Sequence, residues 1–175
     1  PYTPNMTLQV DQVDPAMKKL RSTFAEYGLG TTTGIDLPNE STGFIPKEYT
    51  VGNYLTNAFG QFDNYTTLQL AQYAATVAND GKRVSPHVVE GIYDNNDQGG
   101  LGQLKKAIET KELNQVHISA EDMALIKQGF YQVANGTSGL TTGKTVGRGA
   151  SVPISAKTGT AETTVDGGKQ AINTN

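Results

Sequence analysis

Apolar positions recur every three or four residues in three stretches of the chain, each bounded by residues that start or stop helices. Asp14-Pro15 offers an N-cap followed by proline at the first helical position, where its missing N–H is no loss. Met17, Leu20, Phe24 and Tyr27 then share one helical face, and Gly28 and Gly30 end the pattern. Thr66 and Gln69 have the spacing of a capping box. Leu70, Ala71, Ala74, Ala75 and Ala78 follow as a broad, small-residue face, closed by Asn79-Asp80-Gly81. The third stretch opens at Ser119 with Asp122 in its first turn. Met123, Ile126, Phe130 and Val133 repeat the spacing up to Asn135-Gly136. Three amphipathic helices are predicted.

Alternation with period two is weaker. Val84 to Tyr93 is β-prone, but Pro86 and Gly91 demote it to an edge or irregular strand. Val152 to Thr160 alternates more clearly, with Val152, Ile154 and Ala156 on one face and Ser155, Lys157 and Gly159 on the other. The stretch from Thr31 to Phe59 is rich in turn residues. Asp94 to Gly102 (DNNDQGGLG) has the composition of a surface loop.

Composition narrows the chemistry by exclusion. No cysteine is present, which removes disulfides, thiolate metal sites and thiol nucleophiles together. A net charge of −3, from 14 Lys and Arg against 17 Asp and Glu, argues against a nucleic-acid footprint. His87 and His117 stand apart from any carboxylate at metal-ligand spacing, so no metal and no cofactor is expected. Asp94 to Gly99 resembles the start of a calcium loop, but Lys105 occupies the position of the bidentate Glu. Gly139 to Thr145 (GLTTGKT) resembles a phosphate loop one residue short, since Ser138 stands where its first glycine belongs.

Lys157-Thr158-Gly159-Thr160 is more suggestive. Strand alternation would aim Lys157 and Gly159 to one side. An ammonium beside a missing side chain gives an anionic ligand both charge attraction and close access to the backbone. The plain alternative is an edge strand with a solvated lysine and a turn glycine.

Several further segments occur with it in a fixed order: Gly34-Ile35-Asp36-Leu37-Pro38, Gly43-Phe44-Ile45-Pro46, Phe59-Gly60-Gln61, then TTLQLAQYAATVANDG from Thr66 to Gly81, then KTGTAE from Lys157 to Glu162. That order resembles the transpeptidase domain of class B penicillin-binding proteins, from about Ser22 to Asn175. Ala156 stands where glycine is usual, Thr67 where proline often opens the long helix, and Phe62 where a glycine follows Gly60-Gln61.

The resemblance implies a mixed α/β fold of the serine D,D-transpeptidase and β-lactamase kind, with three main helices and an incomplete antiparallel sheet. It implies an enzyme that cross-links peptidoglycan stem peptides ending in D-Ala-D-Ala through a serine acyl-enzyme, and that β-lactam antibiotics acylate. The family's three motifs are Ser-x-x-Lys, Ser-x-Asn and Lys-Thr-Gly. Only the third occurs here; Ser155 lies one residue too close to Lys157 for the first. On the resemblance, Lys157 supplies positive charge near the nucleophile and the ligand carboxylate. Thr158 and Thr160 offer hydroxyls to that carboxylate, the Thr160 N–H completes an oxyanion hole, and Gly159 keeps the cleft open. Residues 1–175 are then expected to be an internal piece of one domain, without the upstream nucleophile region or the downstream strands, inactive alone and poorly folded for want of a partner to the Lys157 strand. Other cell-wall synthesis proteins are the expected partners, with a membrane anchor outside these residues and an extracytoplasmic location. The rival is a non-catalytic interaction module that keeps the fold.

Overall fold

Three of the helices form where periodicity places them. The structure is a computed structural model that describes residues 10–139, 141–147, 149–159, 161–165 and 170–174. The chain forms two compact units that divide between His117 and Ile118. In the first unit, a 3₁₀ turn at Val10–Gln12 leads into α1 (Val13–Glu26). The cap differs from expectation. Gln12 holds the N-cap position without a side-chain bond, and the Asp14 carboxylate instead accepts from the Tyr49 hydroxyl at 2.9 Å. Met17 is fully buried, and Gly28 and Gly30 end the helix in the left-handed region at φ 95° and 71°. At Gly28 a Cβ would also collide with the Gln72 side chain, so two constraints select glycine there.

The turn-rich stretch conceals a short helix, α2 (Val51–Asn57), closed by a reciprocal Thr50–Asn53 capping box. α3 (Thr67–Ala78) carries the expected Thr66–Gln69 box, with bonds of 3.2 and 2.9 Å. Its buried face is a correction. Leu70, Ala71, Ala74, Ala75 and Ala78 are exposed, whereas Gln69, Gln72, Thr76 and Val77 are buried. The reason is hydrogen bonding to main-chain carbonyls of the Thr31–Thr33 loop and of Val84 at the end of a short strand. Gln69 Nε2 donates to Thr31 O at 2.6 Å, and Gln72 Nε2 to Thr33 O and Val84 O at 2.8 and 2.7 Å. Arg83 extends the seam, donating to Gln72 Oε1 at 2.9 Å and to the Thr32 carbonyl.

β1 (Lys82–Val84) pairs antiparallel with β4 (Glu112–Gln115). β2 (Gly91–Asn95) pairs antiparallel with β3 (Leu101–Ala107). The predicted loop at Asp94 to Gly102 is therefore the turn of a hairpin whose strands claim its outer residues. Among the described residues of this unit, Val116, Val77, Val13 and Met17 are the buried apolar side chains.

A charged knot ties α1 to the α2–α3 connection. Arg21 Nε and Nη2 donate to the two Asp63 carboxylate oxygens at 2.9 and 2.6 Å, and Nη2 also donates to Pro46 O at 3.0 Å. Asn57 Nδ2 reaches Asp63 Oδ2 at 2.9 Å, and Tyr65 donates to it at 3.3 Å. The Asp63 hydrogen bond raises the Arg21 pKa. Burial, followed by the Asp63 charge, pushes the Tyr65 phenol strongly up. Tyr49 and Phe62 flank the guanidinium, with ring centroids 5.2 and 6.0 Å from Arg21 Cζ, so the departure at Phe62 adds an aromatic face to the cation.

The second unit holds α4 (Ala120–Asn135), capped by Ser119 accepting from Asp122 N at 3.0 Å, and a four-residue turn of helix, α5 (Lys144–Gly147). Met123 and Ala134 are buried. β5 (Ala161–Val165) and β6 (Gln170–Thr174) form an antiparallel hairpin in register Ala161↔Thr174 through Val165↔Gln170.

Candidate active site

The Lys157 segment does not form the strand that its alternation predicts. Residues 153–159 have no ladder partner, and the regular strand begins at Ala161. Pro153 cannot donate, and the polar groups after it are taken by α4 instead of by a neighbouring strand. Asn135 Nδ2 donates to Ile154 O at 2.7 Å, and Ala156 N donates to Phe130 O at 3.0 Å. The same Asn135 amide donates to Tyr131 O at 2.9 Å, which fixes the side chain on its own helix before it reaches across. The segment is thus a backbone strap laid on the C-terminal half of α4, and it feeds into a hairpin. β5, which follows the strap, has β6 beside it, while residues 153–159 have no ladder partner.

On this strap Lys157, Thr158 and Gly159 are all exposed. Lys157 Nζ donates to Thr158 O at 2.7 Å, which folds the ammonium back over the motif and engages one of its three donors. Thr158 Oγ1 lies 3.1 Å from Thr142 Oγ1. A Cβ at Gly159 would meet nothing within 4 Å, so no described residue demands glycine by contact. With no strand through residues 153–159, alternation does not set Lys157 and Gly159 on a common side; the local backbone and the Lys157–Thr158 contact orient the ammonium. Thr160, expected as a hydroxyl and an oxyanion donor, lies outside the described residues.

Beside the strap, the end of α4 and the loop after it enclose an open cavity of about 560 Å³, lined by Gln132, Val133, Thr137, Ser138 and Thr142 among others. Its lining is amide, hydroxyl and apolar, with no charged residue among the described ones. Thr142 and Asn135 are the contributors that the sequence did not disclose. Asn135 reads as a helix terminus, and Thr142 as part of a defective phosphate loop.

In chemical terms the strap presents one ammonium, one hydroxyl held by a second hydroxyl, and an unobstructed glycine backbone. That is a cationic, hydroxyl-bearing surface open to solvent. Among the described residues no group of His, Asp and Glu stands close enough to hold a metal ion.

The family follows from comparison. The model of the penicillin binding protein transpeptidase domain matches residues 6–175, so the chain belongs to the penicillin-binding transpeptidase family. It is similar to penicillin-binding protein 2B of Streptococcus pneumoniae serotype 2 (strain D39), at 64% identity over 174 residues, 99% of this chain and 26% of that protein. A solved structure of penicillin-binding protein 2B from S. pneumoniae strain R6 matches with TM-score 0.89 and 63% identity, covering 98% of this chain and 28% of that one. Peptidoglycan D,D-transpeptidase MrdA of Haemophilus influenzae is 25% identical over 155 residues, 82% of this chain and 23% of that protein. The chain spans about a quarter of the length of these curated relatives. The mixed α/β architecture with antiparallel strand pairs is that of penicillin-binding transpeptidases.

Proposed function

We propose that this chain forms one wall of the active site of a peptidoglycan D,D-transpeptidase that works through a serine acyl-enzyme and is acylated by penicillins. The observation that carries the reading is the exposed Lys157-Thr158-Gly159 strap, displayed on α4 in a chain of the transpeptidase family. In the reaction, a serine attacks the carbonyl of the penultimate D-Ala, D-Ala leaves, and an amine of a second stem peptide takes the acyl group. Penicillins enter the first step and stop there.

The roles are those that the family resemblance implies for these groups. The Lys157 ammonium attracts the ligand carboxylate and favours a deprotonated nucleophile nearby. On the family resemblance, the Thr158 and Thr160 hydroxyls are assigned to the carboxylate and the Thr160 N–H to the developing oxyanion. Gly159 leaves the backbone open to an extended ligand. The chain contains neither Ser-x-x-Lys nor Ser-x-Asn. Both are assigned to the part of the longer protein that precedes these residues, which makes residues 1–175 an internal piece of the domain. The names of the relatives support stem peptides and β-lactams as ligands. They also support a place among cell-wall synthesis proteins, for which the outer face of the cytoplasmic membrane is the proposed location. Among the described residues no helix is long and apolar enough to cross a membrane.

The test is covalent labelling by a fluorescent penicillin. The full-length protein is expected to label, and Lys157→Ala to slow labelling by about 100-fold or more, as removal of an electrostatic group from an acyl-transfer site does. The isolated 175-residue chain is expected not to label. An unchanged rate in Lys157→Ala reduces the motif to a structural role, and labelling of the isolated chain refutes the placement of the nucleophile outside it.

A further inference from the structure

We propose that Thr142 is a positioning residue for the Thr158 hydroxyl and thereby for capture of the ligand carboxylate, an inference that rests on the reading of Lys157-Thr158-Gly159 given above. Main-chain tethers to α4 stop at Ala156, so residues 157–159 extend past the last of them. Beyond that point the side chain that reaches the motif from elsewhere in the unit is Thr142, with its Oγ1 3.1 Å from Thr158 Oγ1.

The chemistry of a hydroxyl explains why this contact matters. Each threonine has one O–H to donate and two lone pairs to accept with. When Thr142 donates to Thr158, the Thr158 proton is free for an incoming carboxylate, and the two hydroxyls form a directed relay that strengthens the outer bond. Without that donor, the exposed Thr158 hydroxyl rotates among its staggered wells and presents a proton to the ligand only part of the time. Thr142 also lines the cavity behind the strap, on the loop that leaves α4, so its position is set by the same helix end that holds Ile154 and Ala156. It touches no reacting atom; it acts through Thr158.

The experiment separates noncovalent affinity from acylation rate in the full-length protein, using stopped-flow kinetics with benzylpenicillin. Thr142→Val preserves shape and β-branching but removes the donor, and is expected to weaken noncovalent affinity by about three- to tenfold, the range for one lost hydrogen bond. The acylation step itself should change by less than about twofold, being set by groups that Thr142 does not touch. Thr142→Ser restores the donor and is expected to recover affinity. In a Thr158→Val background, Thr142→Val should add nothing. Should Thr142→Val lower the melting temperature, Thr142→Ala takes its place in the cycle. Unchanged affinity in the donor-lacking variant, an equal loss in the Thr158→Val background, or a serine variant as weak as valine each overturns the proposal. Failure of the wild-type protein to acylate overturns the transpeptidase reading instead.

Discussion

Arg21 and Asp63 hold the first unit together through a pair whose two members are unequally exposed, and that inequality yields numbers. The Asp63 side chain is 0% exposed and that of Arg21 is 22% exposed. Arg21→Met keeps much of the aliphatic volume but strips bonds of 2.9 and 2.6 Å from a carboxylate without access to water. Removing one partner of a buried pair costs about 3–5 kcal/mol. Asn57 and Tyr65 still donate to Asp63, so the loss should fall in the lower half of that range. Asp63→Asn leaves a guanidinium that can turn partly to water and keeps its bond to Pro46 O. Its expected loss is about 2–3 kcal/mol, that of charge-assisted hydrogen bonds reduced to neutral ones. The double variant should fall short of the sum by about 2 kcal/mol, within the range found for residues in direct contact. The assay is urea unfolding of the whole protein followed by far-ultraviolet circular dichroism. Additivity within about 0.5 kcal/mol would falsify the claim that the pair acts as a unit.

Two other predictions address backbone and pH. Gly43 has φ 84°, and a Cβ there would strike the Asn64 carbonyl at the Phe44–Asn64 bridge, so Gly43→Ala should destabilise by about 1–3 kcal/mol; a melting temperature equal to wild type would count against that geometry. Burial raises the pKa of Tyr27, Tyr65 and Tyr73 above the ordinary value of 10.0. Above that value the unfolded phenols lose their protons while the folded ones keep theirs, so the unfolded state binds fewer protons and stability falls as pH rises. The contribution is fully present below pH 10, and tyrosinate absorbance should rise together with alkaline unfolding; early, independent ionisation of all the tyrosines would contradict it.

Caps were the legible part of the fold, because a Thr or Ser side chain satisfies helix donors within a few residues and depends on nothing distant. Thr66–Gln69 and Ser119–Asp122 fall where the pattern put them. The face of α3 was not legible. Periodicity assumes that apolar side chains seek the interior, whereas here main-chain carbonyls at Thr31, Thr33 and Val84 draw two glutamines inward. β4, with the polar sequence ELNQ, adds the Lys82–Glu112 and Arg83–Asn114 side-chain contacts to its backbone pairing, but without apolar alternation it leaves no strand signature. At the site, Lys-Thr-Gly could be read as a triplet with chemistry. Its holder could not, since one anchor is the Phe130 carbonyl and the other is an asparagine that looks like a helix stop. The strand predicted there failed because those tethers compete for the groups that a ladder would use.

The glutamine–arginine seam along α3 has a calorimetric consequence. Exposing apolar surface raises the heat capacity of unfolding, at about +0.45 cal/K/mol/Å², and exposing polar surface lowers it, at about −0.26. In the first unit Thr33, Asn57, Asp63, Gln69, Gln72, Thr76 and Arg83 are buried alongside Val13, Met17, Val77 and Val116. Its unfolding should therefore carry a smaller heat-capacity increment per residue than an oil-filled core of the same size. The stability curve flattens, so cooling weakens this unit less than it would one held by hydrocarbon alone.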